Sequence, residues 1–336
     1  MSTILVPLYI YPSQSGLGWS PLFSALTSAL ERNPSLEFLV VINPGNGPGP
    51  DYPIPNADYR AALSRLSSYN NVKVIGYVHC GYGERELGEI EKDVGDYLAW
   101  LDFADDERGE WAIRLDGIFV DEVPTDAKYL DYLQSITDTV RSGFAEVASR
   151  RSSCNDESNT NNDDDSSLSA LSSSSASSTT PGIVIHNPGI FPAADSSDAF
   201  FSSRLVDYVV VFENCLAAWW DSGDYVSANL ALLTPEKRAK AIAVAHTCGC
   251  GPKSQAGDSG GRPQQQDSEG HHTDGERAEN REEDAIKKNV QHFLNEVVTQ
   301  HKLAGHFATS ATDYATWCSG WEAYVEVACD LAAATC

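Results

Sequence analysis

Two adjacent carboxylates, Asp121 and Glu122, follow the apolar run at residues 117–120 and precede Pro124. The run has the β-branched and aromatic composition of a buried strand. An acid at the end of such a strand is costly to bury unless it is paired or hydrogen-bonded, so its position suggests a chemical role. Carboxyls in this setting can act as general acid, base or nucleophile. The structural alternative is that the pair only caps the following helix, near Asp126.

Similar apolar runs recur along the chain. Strand composition is found at residues 4–11, 37–43, 72–80, 182–187, 208–213, 239–246 and 305–310, in addition to the run that starts at 117. Helices are predicted between them at 20–32, 56–68, 84–101, 126–149 and 282–300, and Thr234-Pro235-Glu236 signals another before the seventh strand. Strands that alternate with helices and show no hairpin turns indicate a parallel sheet.

Eight parallel strands close a (β/α)8 barrel, and we predict this α/β fold for residues 1–336. An open, doubly wound sheet is the alternative, but no Gly-x-Gly-x-x-Gly turn follows the first strand, as a dinucleotide-binding sheet would require. Two low-complexity segments, at about 152–180 and 253–281, are predicted to be disordered surface insertions. Both lie outside the predicted strands and lengthen connections without interrupting the barrel.

The carboxyl ends of barrel strands converge on one mouth, where barrel active sites lie. The candidate residues at or just beyond the strand ends are Tyr9, Tyr11, Asn43, His79, Tyr82, Asp121, Glu122, His186, Asn187, Glu213, Trp219, Trp220 and His246. Carboxyls cleave glycosidic bonds, amides bind hydroxyls, and flat rings pack on sugar faces. We therefore predict a carbohydrate site with Asp121, Glu122 and Glu213 as catalytic residues and the others as substrate-binding residues. For Trp219 and Trp220, packing in the core is the structural alternative.

Other classes of site receive less support from the sequence. No Gly-x-Ser-x-Gly turn is present, which weakens a serine hydrolase. A metal hydrolase would draw its ligands from the strand-end histidines His79, His186 and His246, but the first strand lacks a His-x-His pair. The Cys248-Gly-Cys250 motif has no second pair at zinc-binding spacing. No metal and no other cofactor are predicted.

The charge balance narrows the choice of partners. The 336 residues include 48 acidic and 23 basic ones, for a formal net charge of −25 at pH 7. This sign disfavours nucleic acid and anionic membranes and favours a neutral or cationic partner. No apolar run has the length of a membrane span. The chain shows no secretory signal and its eight cysteines are scattered, so we expect a cytoplasmic location as written, or a secreted or cell-surface one if a leader was removed.

Several motifs together resemble those of spherulation-specific family 4, the spherulin-4-like glycoside hydrolases. They are VPLYIYP in strand one, VVINPGNGPG after strand two, VIGYVH with Tyr82 beyond it, GIFVDEVP, HNPG in strand five and VFE at the end of strand six. The resemblance covers essentially every strand. It implies a (β/α)8 barrel that hydrolyses α-1,4-linked, galactosamine-containing polysaccharide, which is cationic when partly deacetylated. It also maps the family's adjacent Asp-Glu pair onto Asp121 and Glu122, and its later Glu onto Glu213.

The mechanism expected from the residues uses two carboxyls, because neighbouring carboxyls move each other's pKa values apart and so give one acid and one base. We expect Asp121 to be the ionised nucleophile or base and Glu213 the general acid, with Glu122 positioning substrate or tuning the pKa of its neighbour. The first two roles can be exchanged. Strand alternation places Asp121 on the face of Phe119 and Glu213 on the face of Val211. The rival function is a non-catalytic carbohydrate-binding protein, or a spore or cell-wall structural protein, on the same barrel.

Overall fold

Eight parallel strands form one closed barrel in the computed structural model of the chain, which describes residues 2–50, 55–102, 113–157, 182–248 and 273–334. The strands are β1 Thr3–Leu8, β2 Phe38–Ile42, β3 Val72–His79, β4 Gly117–Asp121, β5 Ile183–His186, β6 Tyr208–Cys215, β7 Ala241–His246 and β8 Gly305–Ala308. Each strand is paired in parallel with the next, and β1 is also paired with β8. The predicted (β/α)8 barrel is confirmed.

Helices surround the barrel between the strands. They are α1 Ser13–Gly16, α2 Ser20–Arg32, α3 Ala57–Ser67, α4 Leu87–Trp100, α5 Leu130–Glu157, α6 Ser197–Phe200, α7 Leu216–Asp221, α8 Tyr225–Leu232, α9 Pro235–Arg238, α10 Thr273–Leu294 and α11 Trp321–Ala334. A π-helical turn, Asn295–Gln300, continues α10. Within the described ranges, none of the helices combines the length and the apolar character that crossing a membrane requires.

The strands are buried on both faces, as expected for a parallel sheet covered by helices. Every residue of β1 and β2 is buried. One helix is fixed to the barrel by Tyr97 of α4, whose hydroxyl donates to the carbonyl oxygen of Ile42 at 2.9 Å and accepts from the backbone N–H of Tyr77 at 3.1 Å. Gly76 makes this close approach feasible, because a Cβ there would lie 3.0 Å from the Tyr97 ring.

Some boundaries differ from the prediction. β1 ends at Leu8 rather than near Tyr11, because the N–H of Tyr9 donates to the carbonyl oxygen of Tyr314 at 3.2 Å. α5 continues beyond the predicted end, and α10 begins before the predicted start, so both enter the segments predicted as low-complexity insertions. Residues 273–281 include two Glu, two Arg and one Ala, which are strong helix formers. The rest of those segments, residues 158–180 and 253–272, lies outside the described residues.

A β-bulge in β6 changes the direction of its last side chains. Pairing with β7 skips Val211, so that Val210 lies opposite Ile242 and Glu213 lies opposite Val244. Ile242 and Val244 are two residues apart and share one face of β7. The expectation that Glu213 shares a face with Val211 is therefore wrong, since the extra residue moves Glu213 to the face of Val210.

Gly117 provides a test of the barrel's pairing. A Cβ at this position would collide with the backbone carbonyl oxygen of Ile183 on β5. We expect Gly117→Ala to lower the free energy of unfolding by about 1–3 kcal/mol, the range for overpacking. The control is Gly95→Ala on α4, where a Cβ meets nothing within 4 Å and should stabilise the helix by about 0.5–1 kcal/mol. Urea unfolding of both variants measures the difference, and equal midpoints would contradict the proposed packing at Gly117.

Candidate active site

The carboxylates of Asp121 and Glu213 meet at the carboxyl end of the barrel, where the side-chain amide of Asn187 joins them. Asn187 Nδ2 donates to Asp121 Oδ1 at 2.7 Å and to Glu213 Oε2 at 2.5 Å. Two oxygens that accept from the same nitrogen lie no more than about 5 Å apart. The structure thus brings together three residues at the carboxyl ends of the neighbouring strands β4, β5 and β6.

The orientation of the Asn187 amide is fixed by the turn after β5. Its Oδ1 accepts from the backbone N–H of Gly189 at 3.0 Å, which leaves the NH2 group to face the acids. The carbonyl oxygen of Gly189 in turn accepts from the N–H of Glu213 at 2.9 Å. Gly189 has φ +66°, in the left-handed region that glycine adopts without strain. The HNPG motif therefore builds the bridge between the two acids.

A tyrosine hydroxyl also donates to each carboxylate. Tyr77 Oη lies 2.7 Å from Asp121 Oδ2, and Tyr314 Oη lies 2.7 Å from Glu213 Oε1. The ring of Tyr9 packs edge-on against both tyrosines, with centroid distances of 5.5 and 5.6 Å. Burial, followed by the charge of the adjacent acid, raises the pKa of Tyr77 and Tyr314 far above the usual value, so both phenols remain protonated donors.

The two acids have different sets of donors. Burial raises the pKa of both Asp121 and Glu213. This rise is opposed at Asp121 by hydrogen bonds from Tyr77, from the backbone N–H of Glu122 and from Asn187, and at Glu213 by those from Asn187 and Tyr314. The charge of Asp121 further raises the pKa of Glu213. Asp121 therefore has more donors to hold a negative charge, and Glu213 is the better proton carrier.

Glu122 leaves the strand in a left-handed conformation, with φ 55°. Its carbonyl oxygen accepts from the N–H of Tyr82 at 2.7 Å, and Tyr82 also has a positive φ, of 54°. Glu122 Oε2 lies 3.4 Å from Nδ1 of His79, and Tyr82 is 63% exposed. Left-handed conformations cost non-glycine residues about 1–3 kcal/mol and are concentrated at functional sites. An aromatic ring and a carboxylate are thus presented together at the edge of the mouth.

The thiol of Cys80 contacts the backbone of this turn. Its Sγ lies 3.3 Å from the carbonyl oxygen of Asp121 and 3.2 Å from that of Glu122, both within reach of the thiol proton. Burial raises the pKa of Cys80 to about 12, so the group stays a neutral thiol. Its role in the structure is to hold the two carbonyl groups between which the chain changes direction.

Three predicted substrate-binding residues make contacts outside the acid cluster. Asn43 Oδ1 accepts from the N–H of Gly47 at 3.1 Å and so shapes the Gly- and Pro-rich loop after β2. Tyr11 Oη donates to Asp58 at 2.9 Å. His246 Nδ1 lies 2.6 Å from the hydroxyl of Thr247, and burial lowers its pKa. These residues flank the carboxyl end of the barrel without touching Asp121 or Glu213.

His186 does not face the mouth. Alternation along the strand sends its ring to the side opposite Asn187. The residue is 1% exposed, and burial lowers the pKa of the imidazole to about 3. A neutral ring enclosed in this way is out of reach of a substrate, so the structure removes His186 from the residues that could bind sugar.

Trp219 and Trp220 also face away from the mouth. Both indole N–H groups donate to Oε2 of Glu296, at 2.6 and 3.1 Å. Trp219 packs edge-on against Phe212 and Phe293, with centroid distances of 5.0 and 5.1 Å. The pair therefore fixes α7 against α10 and its π-helical continuation, which is the structural alternative to sugar stacking.

Metal ligation receives no support from the part of the chain that the structure describes. Within it, no three His, Cys, Asp or Glu side chains lie close enough together to hold a metal ion. The three strand-end histidines have different surroundings. His79 lies beside Glu122, His186 is buried, and His246 lies beside Thr247.

Sequence reasoning missed Tyr77 and Tyr314. Tyr77 could have been found, because it lies two residues before His79 and so shares the face that points to the mouth. Tyr314 lies in an irregular segment after β8, 101 positions after Glu213, and no local pattern marks it.

Comparison with known proteins identifies the family of the chain and proteins similar to it. The family model described as Spherulation-specific family 4 matches residues 3–328. Spherulin-4 of Physarum polycephalum is 27% identical over 139 residues, which are 41% of this chain and 35% of that protein. The match therefore spans about a third of the length of this relative. The crystal structure of Aspergillus clavatus Sph3 in complex with GalNAc has a TM-score of 0.62 and 24% identity, covers 98% of this chain and 97% of that chain, and supports the barrel fold.

The raised pKa values of the acids predict how stability depends on pH. A carboxyl whose pKa is higher in the folded state binds protons more tightly there, so stability falls as pH rises from the unfolded-state value, 4.5 for Glu213, through the folded-state value. We expect Glu213→Gln to raise the free energy of unfolding at pH 7, because the neutral amide does not have to carry a charge in the partly buried cluster.

Thermal unfolding between pH 4 and pH 8 measures this effect. The higher stability of the Glu213→Gln variant should be present at neutral pH and should vanish below the unfolded-state pKa of Glu213. Glu91→Gln, at an exposed position on α4, removes the same charge without touching the cluster and serves as the control. A Glu213→Gln variant that is less stable than the wild type at pH 7 would contradict the prediction.

Proposed function

Since the chain belongs to spherulation-specific family 4, as its motifs predict, we propose that it is a glycoside hydrolase whose working carboxyls are Asp121 and Glu213. The observation that carries this proposal is the pair of partly buried carboxylates bridged by Asn187 at the mouth of the barrel. Two carboxyls with different hydrogen-bond environments are what cleavage of a glycosidic bond requires.

We propose that the reaction retains anomeric configuration, because Asn187 holds the two carboxyls close together. Retaining enzymes hold their carboxyl groups about 5–5.5 Å apart, and inverting enzymes about 6.5–9.5 Å apart to leave room for water. The shared hydrogen bonds limit the nearest oxygens of Asp121 and Glu213 to about 5 Å. Asp121 is therefore the nucleophile, because three donors hold its charge, and Glu213 is the general acid.

The reaction proceeds in two steps. Asp121 attacks the anomeric carbon as the glycosidic C–O bond breaks, and Glu213 transfers its proton to the leaving oxygen, which gives a glycosyl ester on Asp121. Glu213, now ionised, takes a proton from water, and the oxygen of that water attacks the same carbon and releases Asp121. Tyr77 and Asn187 donate to Asp121 throughout and hold the nucleophile in place.

The substrate that we propose is an α-1,4-linked galactosamine polysaccharide, partly N-acetylated. The resemblance of the motifs to the family implies this linkage and sugar, and Sph3 of Aspergillus clavatus was crystallised with GalNAc. Free amino groups make such a chain cationic, which suits a protein with a net charge of −25. In this proposal the exposed ring of Tyr82 packs on a sugar unit, and the carboxylate of Glu122 pairs with its amino group.

Substitution of the two carboxyls tests the proposal. We expect Glu213→Gln to lower the rate of hydrolysis about 10²- to 10⁴-fold, the usual contribution of a general acid, and Asp121→Asn to lower it at least as much. Glu91→Gln should retain wild-type activity. The measurement is the release of oligosaccharides from partly deacetylated α-1,4-galactosamine polymer, with circular dichroism to show that each variant folds. Full activity in a folded Asp121→Asn or Glu213→Gln variant would exclude the assignment, and binding without cleavage by the wild type would favour a carbohydrate-binding protein.

The stereochemical course is tested separately. Proton NMR of the first products should show the α-anomer before mutarotation, because two displacements at the same carbon restore the original configuration. A β-anomer as the first product would contradict the role of Asp121 as nucleophile. It would leave the participation of both carboxyls intact.

A further inference from the structure

The ring of His79 has one nitrogen that neither solvent nor a ligand can reach. Nδ1 is buried and forms no hydrogen bond within the described residues, although the side chain as a whole is 24% exposed. A buried polar atom is costly to leave without a partner, so such an atom in a site indicates a contact that the working state completes. Because Nδ1 is enclosed, its partner must be a neighbouring side chain and not a sugar hydroxyl.

The carboxylate of Glu122 is the neighbour that can complete this contact. Its Oε2 lies 3.4 Å from Nδ1 of His79. Hydrogen bonds of the N–H···O type have lengths of about 2.7–3.2 Å, so a small movement of the carboxylate is sufficient. The Glu122 side chain is 38% exposed and therefore faces the mouth as well as the imidazole. A hydrogen bond from a ring N–H to a carboxylate is about twice as strong as one between neutral groups.

The backbone of His79 is held in place from two sides. Its position in β3 is paired with Asp121 of β4, and its carbonyl oxygen accepts from Nη1 of Arg85 at 3.1 Å. Arg85 is itself fixed by Asp93, which accepts from Nη2 at 2.7 Å, and by Tyr132, whose hydroxyl donates to the Arg85 carbonyl oxygen at 2.8 Å. The imidazole thus extends from a fixed strand end, and the carboxylate beside it makes the adjustment.

We infer that His79 is a positioning residue for Glu122. When a substrate binds, the Nδ1–H group of the imidazole donates to Glu122 Oε2 and holds the carboxylate, in its ionised form, against the sugar. The neutral ring then has its proton on Nδ1 and a lone pair on Nε2. His79 therefore acts through Glu122, where the sequence suggested direct contact with the sugar. The identity of the ligand rests on the proposed function, whereas the contact between imidazole and carboxylate does not.

A double-mutant cycle tests whether His79 acts through Glu122. The protein is the full chain with Glu213→Gln, and calorimetry measures its affinity for a partly N-acetylated α-1,4-galactosamine tetrasaccharide. We expect His79→Leu to weaken binding about tenfold, the usual scale of one hydrogen bond to a charged group, but less than about twofold once Glu122→Ala is present. Additive losses would overturn the inference, because a residue that touches the sugar itself acts independently of Glu122.

Two further variants separate positioning from a general effect on the fold. His79→Asn keeps an N–H donor near the position of Nδ1 and should restore most of the affinity that His79→Leu loses. His292→Leu removes another histidine–glutamate contact, the one of 3.5 Å between His292 Nε2 and Glu296 Oε1, and should bind like the parent chain. A folded His79→Asn variant that binds as weakly as His79→Leu would contradict the role of the Nδ1 donor.

Nitrogen-15 NMR of the neutral imidazole tests the contact without a ligand. The His79 signal, identified by its absence from the His79→Asn spectrum, should show the proton on Nδ1, and Glu122→Ala should move the proton toward Nε2. A proton on Nε2 in the wild type would overturn the inference.

Hydrolysis of the tetrasaccharide by the wild type separates the two claims. Hydrolysis with additive losses in the cycle overturns this inference alone, and coupled losses without hydrolysis overturn the proposed function alone. If the tetrasaccharide does not bind, the proposed function fails and the position of the His79 proton decides this inference.

Discussion

The site depends on one amide group that donates hydrogen bonds to two partly buried carboxylates. Asp121 and Glu213 are on β4 and β6, which are separated by β5, so their backbones lie about 10 Å apart at the usual strand spacing. Asn187 follows the strand between them and reaches both sides. Without its NH2 group, two acids with raised pKa values would lose a donor at the same time. The amide therefore fixes the separation of the acids and limits the rise of their pKa values together.

The bulge in β6 is also required for the site, because it turns Glu213 toward the mouth. A regular strand would carry Glu213 on the face opposite Val210, toward the helices, where Phe212 and Trp219 pack in this structure. The skipped residue, Val211, turns Glu213 inward instead. Bulges next to active sites commonly redirect a side chain in this way. The same step sends Phe212 outward, which explains why the tryptophans that follow β6 are involved in helix packing and not in the mouth.

The sequence predicts those features that depend on short, regular patterns. The apolar runs gave all eight strands, and their ends gave Asp121, Asn187 and Glu213, because a barrel brings the ends of parallel strands together. Glu213 lies beside Asp121 as expected, but the alternation that predicts this is incorrect, since a bulge has no signal in the sequence of Tyr208–Cys215. Tyr314 was missed because its position depends on tertiary pairing with Tyr9 rather than on local periodicity. His186 was misplaced because a list of strand ends does not say which of two adjacent residues faces inward.

The left-handed conformation of Glu122 explains how two consecutive acids can both serve the mouth. In a regular strand, Asp121 and Glu122 would point to opposite faces. The positive φ of Glu122 breaks that alternation, and its carboxylate then lies beside His79, which is on the same face as Tyr77 and Asp121. The bonds from Cys80 and Tyr82 to the carbonyl groups of this turn offset part of the strain. The buried Nδ1 of His79 forms no hydrogen bond at 3.4 Å from Glu122, an incomplete contact of the kind that tightens when a substrate binds.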